Sequence, residues 1–413
     1  MQSFDIVVVG AGPAGGHCAR TLAKNGYRVL LAEQHSSFEI NNFSSAATPL
    51  KTLELFDLPE QTIGNVWDKL TIVSSNARKT WTSPEPLGVV FDFAKLRQFL
   101  ADEVTEAGSE VWMGYRYFKQ YRENGATIAE FKRKGTTEPT RVKTKVLVDA
   151  TGSARAVMYP QKRNRPSFSK ASGIEYLIEV EPESYRKLDK ELVFFLGSKW
   201  MPQGYSWVFP MEENRLKLGV ARYYGKHAIA PVESQFKNRI HLITKNYLNL
   251  EDNYQLIDVH GSTLYYSLGL QDVYYRDNTI AVGDSVSTFN FLGGEGIRYA
   301  MLAGEVAARY IGQYVEGEIG EFEPYRKELR NYFLRRWQIS ERIAKKVYFE
   351  YDDRAIDRGV SYIGSMNVEN ALDILFEYKF EKATQGILPL LKRQWIAFLQ
   401  SIRERFHLKQ SKI

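Results

Sequence analysis

Near the N-terminus, Gly10-Ala11-Gly12-Pro13-Ala14-Gly15 carries the spacing G-x-G-x-x-G. Glycine at the first position permits a tight turn, at the second lets backbone approach a pyrophosphate, and at the third lets a helix pack closely on a strand. The N–H groups and partial positive charge of the start of the helix that follows suit phosphate oxygens. Glu33 follows 23 residues after Gly10, where a carboxylate can accept hydrogen bonds from ribose hydroxyls. A second group comes late. Asp284, after Gly283, is placed to accept hydrogen bonds from a polyhydroxy chain. Gly293, Gly294 and Gly296 allow backbone to approach a flat ring, and a helix starting at Ile297 favours negative charge. The third group is Tyr205-Ser206-Trp207-Val208-Phe209-Pro210. A two-residue period puts Tyr205, Trp207 and Phe209 on one face of a strand, roughly 6.6–6.8 Å apart. Three rings in a row serve either as sheet core or as the wall of an apolar cavity.

Each group needs elements to hold it. Phe4–Val9 (FDIVVV) reads as a strand buried on both faces, His17–Asn25 as a helix closed by Gly26, and Arg28–Ala32 as a second buried strand. Together they form a β–α–β unit that implies a dinucleotide. Ala94–Gly108 reads as an amphipathic helix. Arg141–Val148 is a strand running into Asp149-Ala150-Thr151-Gly152, a small-residue turn beside the first strand. Residues 173–180, 191–196, 204–210 and 215–222 are successive strands, expected as an inserted antiparallel sheet. Asn278–Val282 is a buried strand leading to Asp284.

The expected fold class is α/β: a Rossmann-type domain from residues 1–160 and 271–320, an antiparallel-sheet substrate domain from 161–270, and a helical region from 321–413. In that last region Leu388, Leu391, Trp395, Phe398, Ile402 and Phe406 form an apolar stripe beside Lys392, Arg393, Arg403 and Arg405. Such a helix either docks on the body or lies on an anionic membrane.

Composition narrows the classes further. The 413 residues are 44% hydrophobic and 25% charged, as for a globular chain rather than a disordered or fibrous one. One cysteine excludes an internal disulfide framework and a multi-cysteine metal site, and 6 scattered His show no ligand-like spacing, so no metal is expected. The net charge of +6 is concentrated at the end. Residues 381–413 hold seven Lys/Arg and two Glu, +5, leaving +1 for the rest, so the basic balance does not point to nucleic acid. Without a long apolar run or a basic leader, the chain is expected in the cytoplasm, with peripheral contact on the cytoplasmic face of a membrane if the terminal helix is interfacial.

Taken in order, G-x-G-x-x-G, D-A-T-G, Y-x-W-x-F-P, and G-D followed by G-G-E-G-I resemble the geranylgeranyl reductase family of flavoproteins, within the para-hydroxybenzoate hydroxylase-like fold group. The resemblance runs from Phe4 to about Gly304. It implies noncovalent FAD, with Gly10, Gly12, Pro13, Ala14, Gly15 and Glu33 at the ADP part. Asp284 would lie near the ribityl–pyrophosphate link, and Gly293, Gly294, Gly296 and Ile297 beside the isoalloxazine. Tyr205, Trp207 and Phe209 would line a lipid cavity. The implied activity is reduction of double bonds in a prenyl or isoprenoid lipid or pigment by hydride from reduced flavin. NAD(P)H, ferredoxin or a quinol is left open as donor.

The chain departs from that family in three places. Phe43–Pro49 lacks the cysteine of a Cys-Gly-Gly turn, so no active-site thiol is expected and Cys18 is assigned to packing. Phe93 stands where an arginine is common, with Arg97 a candidate substitute. Phe291 replaces a proline. The alternatives on the same fold are a monooxygenase of an aromatic or isoprenoid substrate, a halogenase, a lycopene-cyclase-type enzyme, and a non-enzymatic flavin-binding assembly protein.

Overall fold

A computed structural model describes residues 1–123, 126–161, 165–225, 233–251 and 253–382. The terminal stripe from Leu388 to Phe406 lies outside the described residues.

The apolar run near the N-terminus becomes the strand Gln2–Val9, paired along its length on one side and over Ile6–Val9 on the other. It lies parallel to Val29–Glu33 and to Thr140–Asp149, and the parallel array continues outward to Glu110–Met113 and Thr279–Ala281. Its uninterrupted hydrophobicity has a direct cause. Ile6 and Val8 pack against a helical layer, while Val7 and Val9 pack with Ala129 and Phe131 of the hairpin Tyr115–Glu123/Ala126–Arg133. The helices Pro13–Lys24, Phe93–Glu106 and Ile297–Glu316 form the covering layer. Asp92 starts the second of them by accepting from the backbone N–H groups of Ala94 and Lys95.

A second sheet has seven strands, in the order Tyr254–Tyr266, Ser169–Val180, Arg215–Tyr224, Gly204–Met211, Glu191–Leu196, Lys69–Val73 and Arg78–Thr82. It departs from the expected inserted sheet at one edge. Two strands come from the first hundred residues, and Glu191–Leu196 pairs with Lys69–Val73 in parallel. The sequence ELVFFL is apolar on both faces and would be a sticky open edge; the hairpin 69–82 covers it.

Of the later helices, Glu323–Lys345 packs through Tyr325, Leu329, Phe333 and Trp337 into the core it shares with Ile297–Glu316, while Asp353–Ile363 and Val368–Leu375 close over this sheet. Ile356, Val360, Ala371 and Phe376 join Trp67, Trp81, Trp207 and Phe209 in one buried cluster. Polar contacts fix the dock: Asp353 accepts from the hydroxyls of Ser75 and Ser198, Asp357 accepts from Asn76, and the Trp81 indole donates to the Met366 carbonyl. No described helix is long and apolar enough to cross a membrane.

Candidate functional site

The glycines of the first turn are sterically forced. Gly10 has φ +103°, and a Cβ there would lie 2.4 Å from the Ala150 carbonyl oxygen. A Cβ on Gly15 would lie 2.0 Å from the Gly10 carbonyl oxygen and 2.7 Å from the Ala150 Cβ. The turn is thus wedged against D-A-T-G. At Gly12, by contrast, a Cβ would meet nothing within 4 Å, so the turn is open on that side. The Glu33 carboxylate sits beneath it and accepts from the backbone N–H of Ala11 and of His35, each at 3.0 Å. Each carboxylate oxygen retains a further acceptor position.

The late segment reaches the same place. Gly283, at φ +63°, lies so near the first helix that a Cβ would be 2.6 Å from that of Ala14. Asp284 follows, and its Oδ1 is a buried acceptor without a partner. Burial pushes its carboxyl up to about 6, against the opposing pull of Arg155. A Cβ on Gly296 would be 3.9 Å from that same Oδ1, which brings Asp284 to the Gly293–Ile297 turn. The turn then meets the aromatic strand: the Tyr205 hydroxyl lies 3.3 Å from the Gly293 carbonyl oxygen, and a Cβ on Gly294 would be 2.3 Å from that hydroxyl. Glu33, the Gly10–Gly15 turn, Asp284, the Gly293–Ile297 turn and Tyr205 therefore form one continuous line.

From Tyr205 the stripe continues into the buried cluster between sheet and helices. Its ring centroid lies 5.6 Å from that of Trp207, which is 6.4 Å from that of Phe209. Trp207 and Phe209 are buried. The Trp207 indole donates to Glu175 at 2.8 Å and lies flat over Gly219, where a Cβ would come within 1.9 Å of the ring. Glu175 and Lys217 are a buried pair. Burial pushes the carboxyl up and the ammonium down, and their mutual attraction opposes both shifts.

Several supporting residues were given no site role by the sequence. Asp149 is fully buried and accepts from the Thr151 hydroxyl at 2.6 Å and from the N–H groups of Thr151, Val157 and Met158, which makes D-A-T-G rigid. Arg155 and Asp272, both with fully buried side chains, form an ion pair at 3.0 Å behind Asp284. Tyr348 donates to the Leu292 carbonyl and stacks on Tyr223 at 4.6 Å. Asp149 was visible only as part of D-A-T-G, and Arg155, Asp272 and Tyr348 only as residue types; the partners are up to 136 residues distant. Arg97 donates to the carbonyls of Phe38, Phe93 and Asn41. Cys18 is buried in the first helix, with its thiol pushed up to about 12 by desolvation.

An open glycine cradle, an unpartnered buried acceptor and a glycine turn at a helix start fit the phosphates, polyol and ring of a flavin dinucleotide. Comparison with known proteins agrees. Residues 5–159 match the FAD dependent oxidoreductase family. The digeranylgeranylglycerophospholipid reductase of Haloferax volcanii is 30% identical over 320 residues, covering 74% of this chain and 75% of that protein. That of Methanocaldococcus jannaschii is 30% identical over 347 residues, covering 80% and 84%. A geranylgeranyl bacteriochlorophyll reductase-like structure from Thermoplasma acidophilum superposes with TM-score 0.80 at 21% identity, covering 95% and 99%. A p-nitrophenol 4-monooxygenase from Pseudomonas putida shares the fold at TM-score 0.72 and 15% identity, covering 93% and 99%.

Fold and comparisons define an FAD-dependent oxidoreductase. Within that class, the chain belongs to the digeranylgeranylglycerophospholipid reductase family, which falls within the geranylgeranyl reductase group that the motif order resembles.

Proposed function

We propose that this protein saturates carbon–carbon double bonds in the prenyl chains of an isoprenoid lipid, holding FAD along the line from Glu33 to Tyr205. The observation that carries this is the meeting of the Tyr205 end of the aromatic stripe with the Gly293–Gly294 turn, on the same line as the unpartnered Asp284 Oδ1.

In this reading the backbone at Gly10, Gly12, Pro13, Ala14 and Gly15 holds the pyrophosphate, aided by the N-terminal partial charge of the helix Pro13–Lys24. Glu33 accepts from ribose hydroxyls and Asp284 Oδ1 accepts from the ribityl chain. Gly293, Gly294 and Gly296 bring backbone against the isoalloxazine, and the helix start at Ile297 favours negative charge there. When bound, FAD supplies the hydride acceptor and donor that alkene reduction requires. Tyr205, Trp207 and Phe209 exclude water and align the chain, and the Glu175 hydrogen bond fixes the indole orientation. With a buried Cys18 and no thiol in Phe43–Pro49, the proton needed at the second alkene carbon does not come from cysteine.

The reductant, NAD(P)H or ferredoxin, acts transiently. The protein works on the cytoplasmic side of a membrane, with the apolar stripe from Leu388 to Phe406 and the basic residues beside it as its peripheral contact. The test is incubation of reduced holoprotein with a geranylgeranyl-chain glycerophospholipid in the absence of oxygen, followed by mass spectrometry. Gain of two hydrogens per reduced double bond supports the reading; an unchanged lipid, or oxygen insertion when air is admitted, opposes it.

A further inference from the structure

Between the glycines of the late turn stands Glu295, and its side chain is tied to a part of the chain that the sequence motifs do not reach. Arg298 grips both carboxylate oxygens, at 2.9 and 3.1 Å. The same guanidinium donates to Glu377 and, at 2.7 Å, to the Phe376 carbonyl. Glu377 in turn receives Lys51 at 2.9 Å. Side-chain exposure is low at the inner pair, 8% at Glu295 and 5% at Arg298, and higher at the outer, 15% at Glu377 and 53% at Lys51. The outer members line a cleft of about 500 Å³ with Glu54, Tyr299 and Tyr332. A row of charged groups thus leads from a solvent-reached cleft to the middle of the turn.

The row holds two carboxylates and two cations, so it is balanced. A negative charge arriving beside the turn upsets that balance, and a nearby group must take up a proton or the charge is disfavoured. Arg298 and Lys51 already hold theirs. The Tyr299 and Tyr378 hydroxyls near Glu295 are kept protonated by burial. Glu377 is held below the ordinary carboxylate range: its burial opposes this, but Arg298 and Lys51 prevail. Two carboxyls at the turn are raised by burial: Asp284, to about 6 against the pull of Arg155, and Glu295, the higher of the two and the one joined to the row, to about 7 despite Arg298.

We propose that Glu295 is a proton-exchanging positioning residue, which takes a proton from the cleft when negative charge develops on the ligand at the Gly293–Gly296 turn and returns it when that charge leaves. The exchange is carboxylate plus hydronium to carboxylic acid plus water, with the electrons accounted for by the ligand's own reduction. The assignment rests on FAD lying against that turn, as proposed above.

The test is the midpoint potential of the bound flavin as a function of pH, in wild-type holoprotein, Glu295→Gln and Glu377→Gln. Uptake of an extra proton on reduction makes the potential fall more steeply with pH above about 7 in the wild type than in Glu295→Gln. The flavin's own ionisations are common to both and cancel in the comparison. In Glu377→Gln, where a charge that raises the Glu295 carboxyl is gone, the steep segment begins at lower pH. Equal slopes in the wild type and Glu295→Gln at equal FAD content overturn the proposal, as does an unmoved onset in Glu377→Gln should Glu295→Gln not fold. Gly294→Ala separates the underlying FAD placement. Perturbed flavin absorbance supports that placement, whereas unchanged absorbance and affinity overturn the placement and the proposal together.

Discussion

The Tyr205 hydroxyl lies 3.3 Å from the Gly293 carbonyl oxygen, joining the middle of the seven-stranded sheet to a turn 88 residues later. The contact sets where the aromatic stripe begins. Trp207 and Phe209 follow at two-residue steps, so whatever lies against the turn has large rings leading away from it into the core beneath Asp353–Ile363 and Val368–Leu375.

Trp207→Ala removes the middle ring. Trp207 is buried and hydrogen-bonded to Glu175, so truncation should destabilise the protein by about 3–5 kcal/mol. It should also shift product distribution across prenyl chains of different length, because the space it leaves lies on the proposed path. Urea unfolding and product analysis check the two effects separately. A large stability loss with an unchanged chain-length profile would assign the ring to core packing alone.

Asp284→Asn tests the unpartnered acceptor. Its carboxyl is pushed from 3.8 to about 6, so the folded apoprotein prefers it protonated. That contribution to stability is full below 3.8 and is lost as pH rises through about 6. The asparagine variant should therefore melt higher than wild-type apoprotein above this window, with its advantage disappearing below it. Loss of a charged acceptor for a ligand hydroxyl, about 1.5–3 kcal/mol, should weaken FAD binding roughly 10- to 100-fold. Unchanged affinity in a fluorescence titration would remove Asp284 from the binding site.

Asp272→Ala isolates the ion pair behind that site. Arg155 would keep its charge with no exposure to water and lose its carboxylate, a change that costs about 3–5 kcal/mol in comparable buried pairs. Denaturant unfolding at neutral pH measures it. A change within half a kcal/mol, on the scale of ordinary surface substitutions, would mean that the hydrogen bonds to Ser287 and the Tyr265 carbonyl suffice to hold Arg155.

Removing residues 386–413 deletes most of the basic excess and the whole apolar stripe. Sedimentation with anionic vesicles should fall markedly while FAD content stays the same. Equal binding by the full-length and shortened proteins would dismiss the tail as the membrane contact.

The β–α–β opening was legible because its signals are local: a run with apolar side chains on both faces, a fixed glycine spacing and an acid at the end of the next strand. Gly293, Gly294 and Gly296 were legible as a place where backbone comes close, and the structure sets Tyr378, Tyr205 and Phe289 there; the approach of Gly283 to Ala14 was not read from the sequence. The pairing of Glu191–Leu196 with Lys69–Val73 was not legible, since either face of ELVFFL satisfies a buried strand and nothing local names its neighbour. The same applies to Arg155 with Asp272 and Arg298 with Glu377, where charged residues read as surface until the fold removes water from around them. Tyr348 and Tyr378 were read as part of an aromatic-rich helical region; that they sit against Leu292 and Gly293 follows only from how the helices dock.

The most direct measurement is rapid mixing of photoreduced holoprotein with a geranylgeranyl-chain lipid under strict anaerobiosis, followed through the visible flavin absorbance. The proposed function requires the oxidised spectrum to return in proportion to double bonds saturated, with no oxygen present. A flavin that stays reduced in the presence of lipid, and reoxidises with oxygenated product only when air is admitted, would contradict it.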